Sequence, residues 1–325
     1  MIPPASTPPF HSSLDIRPSS FPAYGAPPAL TVALCTHQPS PAPFARALAA
    51  LRAQTLPADS WELLVIDNAS SPPLAADSRL SWHPRLRLLV EPALGVTAAR
   101  LAAFRATRSD LLLFVDDDNV LAPDYLARAL ARAESSPHLG CFGGQLLPEF
   151  ATPPPDWTRP WWPYLALRPL TTDLLAAHSR DYDALPPTAG MLVRRAVWTR
   201  YLALCADDPR HLRLGLWGER RVGGEDLDLA LCALDLGLSA GRFADLRLTH
   251  LMPASRLTED YLVSLVGGIA YSTALLERLR PRPGDTTPSL WTRARTRLRA
   301  LRLRGRAGRF HRAELAGRRA AQSVA

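Results

Sequence analysis

Three carboxylates stand in a row at the end of an apolar run. Leu111-Leu112-Leu113-Phe114-Val115 leads directly into Asp116-Asp117-Asp118-Asn119. Like charges this close repel, and a divalent cation that prefers oxygen ligands, Mg²⁺ or Mn²⁺, is the natural compensation. A solvated acidic turn is the plainer alternative, but the helix it would cap has its own start signal in Pro123-Asp124. Asp67 is placed in the same way, after Trp61 to Ile66. A carboxylate there could accept from the N–H of a nucleobase, or begin a turn with Asn68. Gly223-Gly224-Glu225-Asp226 opens a helical pattern further on. The helix dipole alone favours acids in a first turn, whereas the glycines would let backbone come close to a ligand.

Each acidic group needs an element to carry it. Runs from Leu30 to Cys35, Trp61 to Ile66, Arg85 to Val90, Leu111 to Val115 and Leu139 to Leu147 have strand length. Helical patterns cover Pro41 onward (Phe44, Leu48 and Leu51 on one face), Gly95 to Thr107, Pro123 to Glu134, and Glu225 to Leu234. This alternation predicts an α/β fold, a mainly parallel sheet with helices on its faces. In such sheets ligands gather beyond the carboxyl ends of the strands, where Asp67 and Asp116 to Asp118 would lie together. A strand entering a helix is expected over 190–198, a strand over 242–248 with His250 just after it, and a helix over 257–279.

Residues 148–187 break the pattern with prolines and with Trp157, Trp161, Trp162 and Tyr164. Sugars stack on aromatic faces, so this stretch reads either as an acceptor-binding loop or as a loop folded on its own rings. Tyr261 to Leu276 reads as too short to span a bilayer and is interrupted by Gly267-Gly268.

All 38 cationic residues are arginine, which reads as coding bias and lowers the weight of any single arginine. The net charge of +8 is uneven. Residues 278–325 hold 14 Arg against Asp285 and Glu314, a net of +12, leaving the rest at −4. Such a tail could rest on an anionic membrane surface through residues 288–325, or be a solvated terminus. Nucleic acid is not expected, since aromatics for base stacking are not interleaved with the arginines. Cys35, Cys141, Cys205 and Cys232 show no C-x-x-C spacing, so neither a disulfide framework nor a zinc site is expected and a reducing compartment is the default. Residues 1–28 hold eight prolines, show no secretory pattern, and read as a disordered lead-in.

Five segments occur in a telling order: Thr31-Val32-Ala33-Leu34-Cys35-Thr36-His37, Leu63-Leu64-Val65-Ile66-Asp67-Asn68-Ala69-Ser70, Gly95-Val96-Thr97-Ala98-Ala99-Arg100, Phe114-Val115-Asp116-Asp117-Asp118-Asn119, and Gly224-Glu225-Asp226-Leu227-Asp228-Leu229. Together they resemble glycosyltransferase family 2 over about residues 30–255. The resemblance implies a GT-A fold, Rossmann-like and nucleotide-binding, and transfer of a sugar with inversion from a UDP- or GDP-sugar to a glycan or lipid-linked acceptor. It implies a donor half over 29–147 and an acceptor half over 148–256, with a C-terminal helix over 257–287 packed on the domain and the basic tail beyond.

By the same resemblance, Thr36, Asp67, Arg100, Asp116 and Asp117 would contact the nucleotide-sugar. Asp118, with Asp116 and His250, would hold Mn²⁺ or Mg²⁺. Asp226 would be the general base, with Glu225 as the substitute, and Trp161, Trp162 and Gly190 would face the acceptor. His37-Gln38-Pro39 and Thr188-Ala189-Gly190 depart from the family's turn and glycine patterns, which leaves the substrate open. A Q-x-x-R-W motif is missing after Asp226, which favours single addition over polymer synthesis. The expected setting is cytoplasmic, on the inner face of the membrane. A nucleotidyltransferase would want a basic, glycine-rich loop early in the chain, and a non-catalytic scaffold docked through its tail would bind no nucleotide.

Overall fold

The structure is a computed structural model describing residues 27–74, 77–176, 178, 181–215, 222–281 and 303–324. Residues 1–26 and 282–302 lie outside it, and with them the expected lead-in and the first part of the basic tail.

Four strands, β1 (Leu30–Thr36), β2 (Trp61–Asn68), β3 (Leu86–Glu91) and β4 (Leu111–Asp116), run parallel in the order β3-β2-β1-β4. Every residue of β2 is buried, as suits a strand covered on both faces. Helix α1 (Pro41–Arg52) buries Phe44, Leu48 and Leu51 on one face of this sheet, and α2 (Val96–Ala106) buries Ala99, Ala103 and Phe104 on the other. Register then fixes the site, because Thr36 pairs with Asp67 and Cys35 with Asp116. Both acidic strand ends, Asp67 and Asp116, therefore share one sheet edge with Thr36.

Beyond β4 the sheet becomes mixed. After β5 (Asn119–Leu121) and α3 (Tyr125–Ser135), β6 (Leu139–Phe150) and β9 (Ser239–Met252) lie side by side in parallel. The short strands β7 (Leu174–Ala176) and β5 pair antiparallel with β9, and β8 (Leu192–Arg194) lies antiparallel between β4 and β6. Strand β9 is longer than its periodicity predicts, so His250 falls within it, opposite Asn119, rather than after it. Helix α4 (Arg195–Asp207) follows β8, and α5 (Glu225–Asp235) precedes β9.

The C-terminus corrects two expectations. Helix α6 (Glu259–Leu279) has 21 residues, longer than the stretch judged too short for a bilayer; by length and composition it could cross one. Yet Leu262, Leu275 and Leu276 are each within 2% of full burial, and a helix α7 (Gly305–Gln322) packs along it. The tail over 303–324 is therefore folded onto the domain rather than solvated. A Cβ on Gly317 would lie 2.0 Å from the Gly267 carbonyl oxygen, so the two helices touch backbone to backbone. Phe310 is 3% exposed and its ring stacks on Trp161 at 3.9 Å and 9°. Burying one such ring is worth about 1.5–3 kcal/mol. The pairs of Arg306 and Arg309 with Glu259 and Asp260 lie at the surface, where water screens them, so packing, not charge, holds α7.

Candidate active site

The three consecutive carboxylates turn to three different partners. Asp116 lies 3.7 Å from Arg100. Asp117 accepts a hydrogen bond from the Thr36 hydroxyl. Asp118 Oδ2 is 2.9 Å from Arg256 Nη2 and 3.4 Å from His250 Nε2. Asn119, fully buried, holds the turn by donating to Asp118 Oδ1 at 3.0 Å and accepting from the Asp116 N–H at 3.3 Å. Burial pushes Asp117 up to about 6 against the pull of the Thr36 hydrogen bond. Burial would raise Asp118 as well, but His250 and then Arg256 bring it below the ordinary carboxylate range.

Arg100 joins two motifs far apart in the chain. It reaches out from α2 and forms a buried ion pair with Glu225 at the start of α5, while also facing Asp116. Burial pushes Glu225 upward, opposed by Arg100. Its neighbour Asp226 is only partly buried; Oδ1 accepts from the Leu227 N–H at 2.8 Å. Of the two acids, Glu225 is committed to structure and Asp226 is accessible.

The remaining expected residues have other surroundings. Asp67 is fully buried, its oxygens accepting from the N–H groups of Ser70 (3.1 Å) and Leu74 (2.8 Å). These bonds hold the turn that follows β2. Gly190, expected at the acceptor, is buried at φ +76°, where a Cβ would lie 2.5 Å from the Tyr125 hydroxyl; its place is a packing position. Trp161 and Trp162, also expected at the acceptor, have ring faces against Phe310 and Phe150, and Trp162 Nε1 donates to Thr158 at 3.1 Å. The aromatic loop is folded on its own rings and on α7. Cys35 lies beside the carboxylates, but burial pushes its thiol up to about 12, which rules out a ready thiolate nucleophile.

Two residues escaped the sequence. Asn68 donates to the carbonyls of Glu91 (3.0 Å) and Ala93 (2.7 Å) and accepts from the Gly95 N–H (2.8 Å), so it fixes the loop that launches α2 and Arg100. Arg256 stands on the short turn Ala254–Leu257 and bonds both Asp118 and His250. The only signal for it was its place six residues after His250, and the all-arginine composition masked that.

Among the described residues no group of three or more His, Cys, Asp or Glu is arranged around a metal. Two donors do converge on one cation, since Asp118 Oδ2 and His250 Nε2 both face the Arg256 guanidinium. A carboxylate and an imidazole nitrogen suit Mn²⁺ or Mg²⁺ when substrate phosphates and water supply the other ligands.

The family model described as Glycosyl transferase family 2 matches residues 31–195. An N-acetylglucosaminyltransferase of Sinorhizobium fredii (strain NBRC 101917 / NGR234) is 30% identical over 126 residues, spanning 38% of this chain and 30% of that relative. Among solved structures, the mannosyltransferase PcManGT from Pyrobaculum calidifontis, in complex with GDP-Man and Mn²⁺, superposes at a TM-score of 0.52 with 20% identity over 93% of this chain and 77% of that one. S. aureus TarS 1–349 superposes at 0.49 with 17% identity over 76% of this chain and 65% of that one; it is also known in complex with UDP and with UDP-GlcNAc.

Proposed function

The chain belongs to glycosyl transferase family 2, and on that premise we propose that it transfers a sugar, with inversion, from a UDP- or GDP-sugar to a hydroxyl of a glycan or lipid-linked acceptor. The observation that carries this reading is the bridge made by Arg100. It ties the Asp116–Asp118 strand end to the start of α5, and so brings the accessible Asp226 to the same sheet edge as the carboxylates. The GDP-Man bound by PcManGT supports a nucleotide-sugar donor.

Asp118 and His250 would hold the divalent ion, which supplies electrostatic stabilisation to the diphosphate as negative charge gathers on it. Asn119 fixes Asp118 Oδ1, so the other oxygen is presented to the cation side. Arg100, locked between Asp116 and Glu225, keeps α5 in place. Asp226 then takes the proton from the acceptor hydroxyl as its oxygen attacks the anomeric carbon and the bond to the diphosphate breaks on the opposite face. A single displacement needs no enzyme nucleophile, in keeping with the raised thiol of the half-buried Cys35. Single addition, a cytoplasmic setting and access to membrane-linked acceptors belong to the same reading.

The test is release of UDP from UDP-GlcNAc and of GDP from GDP-mannose in the presence of candidate acceptors. Asp226→Asn should cut turnover by roughly 10²–10⁴-fold without weakening nucleotide binding. Full activity in this variant would remove Asp226 as the base.

A further inference from the structure

One guanidinium covers both candidate metal donors. Arg256 Nη2 is 2.9 Å from Asp118 Oδ2 and Nη1 is 3.0 Å from His250 Nε2. The same Nε2 lies 3.4 Å from Asp118 Oδ2, so carboxylate, imidazole and guanidinium meet at one point. His250 Nδ1 is buried without a hydrogen-bond partner, so nothing else orients this ring toward the carboxylates more firmly than Arg256 does. A divalent ion on Asp118 and His250 would need the space and the lone pairs that Arg256 now uses. Two cations on one carboxylate oxygen also repel, so the ion and this position of Arg256 exclude each other.

Arg256 also has somewhere to go. Its side chain is 33% exposed, whereas that of Arg100 is 9% exposed and locked to Glu225. It borders an open hollow of about 410 Å³ lined with Ser255, Thr258, Asp260 and Tyr261. Asp260, the carboxylate in that lining, is already paired with Arg309, so a planar guanidinium released there would need another anion, and the diphosphate arriving with the metal offers one in the bidentate geometry that arginine prefers.

We infer that Arg256 is an exchangeable counter-cation of the donor site: it holds Asp118 and His250 while no divalent ion is bound, and passes to the diphosphate when ion and nucleotide arrive together. This rests on the donor reading proposed above. The consequence is positive coupling. Mn²⁺ alone must evict Arg256 without giving it a new partner, so it binds weakly; with nucleoside diphosphate present the eviction is compensated. By linkage the nucleotide and the ion strengthen one another by the same factor.

The experiment titrates Mn²⁺ into wild type and Arg256→Gln by electron paramagnetic resonance, first alone and then with UDP or GDP. Thermal denaturation with and without Mn²⁺ runs in parallel. Arg256→Gln should bind Mn²⁺ alone about tenfold more tightly than wild type and gain more thermal stability from it, while the nucleotide-linked enhancement shrinks about tenfold. Arg256→Lys keeps the charge without the planar fork; it should shift in the same direction by less, and it carries the test if the Gln variant does not fold. Mn²⁺ affinity that is unchanged, weaker or unmeasurable in these variants overturns the exchange. If wild type binds UDP or GDP with Mn²⁺ but the variants gain no Mn²⁺ affinity, the exchange fails and the donor reading stands. If the variants gain Mn²⁺ affinity but no protein binds either nucleotide, competition between Arg256 and the ion is supported, while its passage to the diphosphate and the donor reading both fail.

Discussion

At the scale of single residues, neighbouring acids with the same chemistry have separate duties. Asp116, Asp117 and Asp118 face Arg100, Thr36, and Arg256 with His250 respectively. Glu225 and Asp226 divide in the same way, one paired and buried, the other accessible. Glu225→Gln should therefore act on stability, because it removes the nearest partner of the buried Arg100 and leaves it the weaker attraction of Asp116 and Asp226. A loss of about 3 kcal/mol is expected, at the lower end for a broken buried pair, and chemical denaturation measures it. Asp226→Asn should stay within about 0.5 kcal/mol of wild type in the same experiment. Equal losses in the two variants would contradict this division. The carboxylates were legible because each ends an apolar run or opens a helix. Arg256 was not, because in a chain whose cations are all arginine no single one stands out by type. Nor could the sequence show that the N–H groups of Ser70 and Leu74 fold back onto Asp67.

At the scale of elements, the parallel half of the sheet was readable because its strands are mainly apolar runs of strand length. Strands β5 and β7 have three residues each, too few for a period to register, and they exist because β9 offers them an edge. The aromatic stretch after β6 was open to two interpretations, and the structure folds it into a ten-residue 3-10 segment, Asp156–Leu165, packed on α7. Helix α7 was hidden by its charge. Its mean composition is that of a basic tail, while the side it buries consists of Gly308, Phe310, Gly317 and Ala321, three small residues and one ring, which leave little apolar signal. That close contact makes a sharp prediction. Gly317→Val would place a Cβ 2.0 Å from the Gly267 carbonyl oxygen, so α7 must shift. A loss of about 1–3 kcal/mol is expected, with faster proteolysis after the arginines of 304–319. Unchanged melting and proteolysis would mean that the α6–α7 crossing does not form in solution.

At the scale of the whole molecule, acid should weaken the fold through a residue far from the chemistry. His83 is 4% exposed and packs edge-on to Trp61 at 4.2 Å, and burial lowers its imidazole from 6.5 to about 4. The unfolded chain takes up this proton first. The contribution is therefore complete above pH 6.5 and is lost as pH falls toward 4, by at most about 3 kcal/mol. His83→Phe should flatten the stability profile between pH 6.5 and 4 relative to wild type; parallel profiles would contradict the burial of a neutral ring. The larger design is a sheet edge where motifs more than a hundred residues apart meet, and the order of those motifs made the fold legible before any coordinates. The most direct measurement of the central claim is calorimetric binding of UDP and GDP, with and without Mn²⁺, to wild type and Asp118→Ala. The account predicts metal-dependent binding of at least one nucleotide by wild type, weakened at least about tenfold in Asp118→Ala. Binding of neither nucleotide, or equal binding by the two proteins, would contradict it.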